Sequence, residues 1–194
     1  MTTEQNQYIN VMCDLETLGT RPGCKLLSIA AVPFLLEKDE DQLASFYEKI
    51  RRDSYYVVFH EDISTLLWWE DQSKEARVEA FSGNKGIAQV LGEFTTWCSS
   101  ITYNGRKILF WGNGADFDNA ILQETYKLCG LKAPWEYFNN RCYRTLKALF
   151  PQIPYTKPKI AHNALEDAKA QAVHAEHILR TVEACEDHIQ EITG

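Results

Sequence analysis

Tyr8-Ile9-Asn10-Val11-Met12-Cys13-Asp14-Leu15-Glu16-Thr17 is the stretch from which the rest of the chain is best read. Its apolar residues suit a buried strand, and a strand's period of two sends residues i and i+2 to one face. Asp14 and Glu16 therefore point the same way, at the end of a strand that should otherwise be covered. Adjacent carboxylates repel one another and lose hydration on burial, so a fold normally avoids them. The pair becomes sensible where divalent cations lie between the two, because hard cations take clustered oxygen ligands. Alone, it is better read as two solvated acids at a strand end, and it is the remaining sequence that shifts the balance.

The bulk properties narrow the field. A chain of 194 residues, 45% hydrophobic and 24% charged, suits one domain over residues 1–194 with a core of about 8–180. No run of ~18 apolar residues is present to span a membrane, and the polar start lacks the layout of a signal peptide. A cytoplasmic protein, or one acting in a host cytoplasm, is expected. The cysteines at 13, 24, 98, 129, 142 and 185 form no C-x-x-C pair. Reduced thiols buried in the core are predicted, and a zinc site is not. The net charge of -7 argues against a general electrostatic grip on nucleic acid. Two divalent ions would add +4 and bring -7 to -3 where the charge matters most, and a short single strand needs few phosphate contacts.

Hydrophobic periodicity predicts strands over 8–15, 27–34 and 45–50, joined by the turn-rich segment 19–23 and the charged turn 37–41. Three strands with short connections read as an antiparallel meander. Helices are predicted over 63–69, 73–81 (with Ser73 as N-cap) and 87–98, where Ile87, Val90, Leu91 and Phe94 recur at helical spacing. The burst 107–111 is short enough for a buried strand, followed by a loop at 112–114 and a helix over 116–129. A short strand over 138–142, a helix over 143–150, a proline-stiffened loop and a long helix over 163–192 complete the chain. The pattern is α/β, with a mixed five-stranded sheet flanked by helices.

Three distant segments each deliver carboxylates to a strand end or a helix start: Asp14 and Glu16; Phe117-Asp118; and His162-Asn163-Ala164-Leu165-Glu166-Asp167. Their order and spacing resemble the DEDDh branch of the DEDD 3′-to-5′ exonucleases. The first motif of that superfamily is D-x-E-T, here Asp14 to Thr17. The second is a loop, then F-D, then an apolar residue four on, here Asn113 through Asp118 to Leu122. The third is H-x-x-x-x-D, here His162 and Asp167. The stretch from Trp68 to Arg77, and Asn140 to Thr145, further resemble the phage DexA-type exonucleases and related small bacterial exoribonucleases. The second motif departs from the common N-x-x-F-D by one residue, which leaves Asp116 as a neighbouring acid; Leu122 favours Asp118.

The resemblance implies an RNase H-like fold, three antiparallel strands with parallel additions, and a metal-dependent exonuclease that releases nucleoside 5′-monophosphates. Two cations ~3.5–4 Å apart can neutralise both the attacking and the departing oxygen of a phosphodiester. Asp14, Glu16, Asp118 and Asp167 would hold two Mg²⁺ or Mn²⁺ ions. His162, whose type ordinarily titrates near ~6.5, would act as general base. Thr17, Leu18 and Gly19 would lie beside the terminal nucleotide, with Leu18 wedged against a base. Asn113, Trp69 and Lys159 are further candidate contacts. The expected partner is single-stranded DNA or RNA with a free 3′ end, and the resemblance allows monomer or homodimer. The alternative is a nucleic-acid-binding or polymerase-associated, proofreading-type accessory module.

Overall fold

The computed structural model describes residues 7–34, 43–102, 105–158 and 162–193, with side chains through Cys185. Strands β1 (Tyr8–Thr17), β2 (Leu26–Phe34) and β3 (Phe46–Lys49) form the expected antiparallel meander. Helices α1 (Ile63–Glu70), α2 (Lys74–Phe81) and α3 (Ile87–Ile101) follow, and then β4 (Lys107–Gly112) pairs parallel to β1. Strand β5 (Asn140–Cys142) adds in parallel to β4, giving the order β3-β2-β1-β4-β5. Helix α4 (Ala120–Leu128) precedes β5; α5 (Tyr143–Leu149) and α6 (Ala164–Thr193) follow it. The charged turn expected at 37–41 lies outside the described residues.

Alternation along β1 sorts its residues between two layers. Ile9, Val11, Cys13 and Leu15 join the large core with Val90, Leu91 and Phe94 of α3. Met12 faces the other way, into a cluster with Trp111, Tyr143, Ala172 and Ala175. Asp14 and Glu16 share that second face by the same period of two. Helix α6 covers it, laying Ala164 and Ala168 against Ala30. A stripe of alanines lets the helix approach the sheet closely, and that approach carries the first turn of α6 to the end of β1.

Local departures from the expected elements have clear causes. The helix expected over 116–129 begins instead with a π turn, Ala115–Asn119, and becomes α-helical at Ala120. The wider turn tucks Asp118 and Asn119 back against the end of β4. A β-carbon on Gly112 would come within 2.3 Å of Asn119 Oδ1 and 2.8 Å of Asp118 Cβ, so only glycine permits this packing. The last predicted strand is shorter than expected because Tyr137–Asn139 form a 3₁₀ turn. Ser73 caps α2 as predicted, accepting a hydrogen bond from the Ala76 amide at 3.1 Å. The cysteines are only partly as expected. Cys13, Cys24 and Cys98 are buried free thiols, whereas Cys129 and Cys142 are half-buried and Cys185 is exposed. No described helix is long and apolar enough to cross a membrane.

Candidate active site

The carboxylates converge where β1 ends. Oxygens of Asp14, Glu16 and Asp167 all lie within 4.8 Å of one another. β1 supplies the first two, and its pairing with β2 shifts register between Glu16 and Thr17, an irregularity that re-aims a strand end. Asp167 comes from the first turn of α6, whose start is fixed by Asn163. The Asn163 Oδ1 accepts from the amides of Leu165 and Glu166, each at 3.1 Å. Asp118 is buried beside this trio rather than within it, close enough for its charge to act on both Asp14 and Glu16.

Burial and mutual repulsion dominate the electrostatics of the site. Burial, followed by the charges of Asp118, Glu16 and Asp167, pushes the Asp14 carboxyl well above its ordinary range. Burial and the same crowding raise Glu16 to about 8. Asp118 is raised to about 7 by burial, against the pull of the backbone amides of Leu15 and Asn113 and of the Arg144 guanidinium. Asp167 is also raised by burial, and His162 offsets part of that. Among the described residues no ion pair joins Asp14, Glu16 or Asp167 to a lysine or arginine. Buried, clustered and uncompensated hard oxygens suit divalent cations, and the absence of thiolate from the group disfavours softer ions.

His162 stands at the rim in a left-handed conformation, φ 60°. Such backbone is costly for a non-glycine residue and tends to occur at functional sites. Its ring meets Trp68 edge-on at 4.8 Å and Trp69 at 6.2 Å between centroids. A cavity of about 400 Å³ opens beside Glu16, between Phe117 and the α1 side chains Ser64, Thr65 and Trp68. A second concavity, about 700 Å³, lies between the 154–158 loop and the outer side of α6, and none of the clustered carboxylates lines it.

The residues expected to touch a nucleotide are placed unevenly. Thr17 donates its hydroxyl to the Gly19 carbonyl at 2.6 Å, which closes the turn after the first motif. Leu18 is fully buried against Leu27 and Trp69, so it has no free face to wedge against a base. Trp69 is only 2% exposed, and its indole N–H donates to the Thr17 carbonyl at 2.9 Å, bracing that turn. The exposed aromatic on this helix is its neighbour Trp68, at 42%. Asn113 offers its carbonyl to Arg144 Nη2 at 2.7 Å. Lys159 lies outside the described residues, and the exposed Lys157 lines the outer concavity. Phe117, the residue before Asp118 in the second motif, lines the cavity, and Gln171 stands at the site although no motif singled it out. Gln171 could have been found from its place one helical turn after Asp167.

A mixed sheet of this order, with carboxylates gathered at the end of its central strand and met by the last helix, defines an RNase H-like nuclease of the DEDDh type. Residues 9–179 match the family described as 3′-5′ exoribonuclease Rv2179c-like domain, and the chain belongs to it. It is a 3′-5′ exonuclease. An exodeoxyribonuclease of Enterobacteria phage T4 is 24% identical over 205 residues, covering 90% of each chain. Among solved structures, the nuclease domain of 3′hExo, a DEDDh family member bound to rAMP, aligns at 15% identity with a TM-score of 0.56. That alignment covers 90% of this chain and 92% of the other. Cell-death related nuclease 4 (CRN-4) aligns at 13% identity with a TM-score of 0.58, over 89% of this chain; the chain spans 64% of CRN-4.

Proposed function

We propose that this enzyme hydrolyses single-stranded DNA or RNA from a free 3′ end to nucleoside 5′-monophosphates, with Asp14, Glu16, Asp118 and Asp167 holding two Mg²⁺ or Mn²⁺ ions. The observation that carries the reading is the approach of Asp14, Glu16 and Asp167 oxygens to within 4.8 Å of one another, with no ion pair from any of the three to a lysine or arginine among the described residues. Bound there, the ions would supply the charge that stabilises the attacking and departing oxygens of the phosphodiester.

The chain's own groups account for the rest. His162 takes the proton of the attacking water, and Trp68 and Trp69 hold its ring edge-on at the rim. The cavity beside Glu16 receives the terminal nucleotide, with the exposed face of Trp68 available to a base. The braced turn from Thr17 to Gly19 lies beside the same nucleotide and fixes the backbone there. A small cavity and a net charge of -7 suit a short single strand better than a duplex.

The test is digestion of 5′-labelled single-stranded DNA and RNA oligonucleotides with Mg²⁺, Mn²⁺ or chelator. Ladders that shorten from the unlabelled end, and vanish in chelator, are expected. Products that begin at the labelled end, or an activity indifferent to chelator, would refute the reading. The family's description speaks for RNA and the phage relative's name for DNA, and the paired rates separate them. His162→Ala should lower kcat by roughly 10²–10⁴-fold, the range for a lost general base, with Mn²⁺ affinity retained; unchanged single-turnover rates would remove His162 from that role.

A further inference from the structure

We infer that Gln171 is a positioning residue of the cation site, holding Asp14 in the orientation that leaves one carboxylate oxygen free for a cation. The inference rests on the metal-dependent reading above and adds a residue to it.

Gln171 follows Asp167 by four residues on α6, so both project from one face toward the end of β1. It is 3% exposed, and its Nε2 donates to Asp14 Oδ1 at 2.7 Å. That bond joins residues 157 apart in sequence and ties the last helix to the first strand. It occupies one oxygen of Asp14 and pins the carboxylate plane, so the second oxygen is presented in a defined direction. Neutral amide donation suits the task, since a lysine or arginine there would compete with the cation for the same charge.

The other half of the amide supplies an independent clue. Gln171 Oε1 is buried and has no hydrogen-bond partner. Buried carbonyl oxygens are rarely left without a donor, and each exception asks for an explanation. It belongs to the same amide that holds Asp14, and a water ordered in the loaded site is the donor that would satisfy it. A spacer role does not account for these facts. Its neighbours on this face are Ala168, Ala172 and Ala175, in apolar clusters, together with Asp167 of the cluster and the buried His174, whose two ring nitrogens are both hydrogen-bonded. An apolar side chain at 171 would fill the same space without leaving an orphaned acceptor.

Mn²⁺ titration by calorimetry or electron paramagnetic resonance, with melting curves in chelator, tests the inference on full-length wild type, Gln171→Met and Gln171→Glu. The methionine keeps the length of the side chain and removes both polar atoms. It should bind Mn²⁺ about 10-fold or more weakly, the usual cost of losing a partner behind a metal ligand, while melting in chelator no earlier than wild type. Saturating Mn²⁺ should then recover most of kcat, with the KM for oligonucleotide unchanged. The glutamate replaces the donor with a further negative charge against Asp14. It should lower the melting temperature in chelator at pH 8, and Mn²⁺ should recover more of that loss than it adds to wild type. Wild-type Mn²⁺ affinity in Gln171→Met overturns the inference, as does a Gln171→Glu protein that melts like wild type with and without Mn²⁺. Failure of wild type itself to bind Mn²⁺ overturns the metal-dependent reading, and the inference with it.

Discussion

At the scale of single residues, the chemistry follows from carboxylates denied water. Glu16 holds its proton to about 8 in the folded chain, against an ordinary 4.5. Between those values the folded state keeps a proton that the unfolded chain has released, so stability falls as pH rises through the window. Asp118, raised to about 7, acts in the same direction. The chelated protein should therefore lose thermal stability from pH 5 to pH 8, and Glu16→Gln should flatten that loss. Mn²⁺ should restore the melting temperature at pH 8 and change it little at pH 5. Melting curves in chelator across that range decide the matter; an identical pH profile for wild type and Glu16→Gln would mean that Glu16 is solvated rather than crowded.

At the scale of elements, α6 is the part on which the site depends. Its alanine stripe sets its distance from the sheet, and Asn163 sets where its first turn begins. Ala168→Leu adds a side chain where there is no space for one, and overpacking of this kind costs about 1–3 kcal/mol. Lifting the helix moves Asp167 away from Asp14 and Glu16, so Mn²⁺ affinity should fall even where the variant remains folded. Val173→Leu, at a position 70% exposed, serves as the control and should be nearly silent in both measurements. Equal Mn²⁺ affinity in the two variants would show that the approach of α6 does not govern the cluster. The π turn plays the matching part for Asp118. It was not visible in the sequence, because 116–129 carries the spacing of an ordinary helix and the widened turn arises from packing Asp118 and Asn119 against Gly112.

At the scale of the whole molecule, a net charge of -7 limits how the substrate can be held. Affinity from phosphate contacts alone would need cations that neutralise many phosphates, each contributing about 0.7 to the salt dependence on a single strand. With two or three contacts near the site, log KM should change with log salt by a slope of only about 1–2. KM measured for a short oligonucleotide between low and moderate salt provides the check. A slope several times larger would reveal an extended basic track and shift the emphasis away from the cavity beside Glu16.

The sequence by itself determined the architecture and the chemical type of the site. A period of two in β1 placed Asp14 and Glu16 on one face, and helical spacing and caps marked most helices. The three motifs, taken in order, pointed to one superfamily. Such features are local, because each depends on residues a few positions apart. Which aromatic is free was decided only by tertiary packing. Trp68 and Trp69 are neighbours of one type, yet one is 42% exposed and the other 2%, since only Trp69 points at the turn after β1. The burial of Leu18 was beyond the sequence, and of Gln171 only its place on the face of Asp167 was legible, not its bond to Asp14, because both depend on segments that meet only when α1 and α6 close over the sheet.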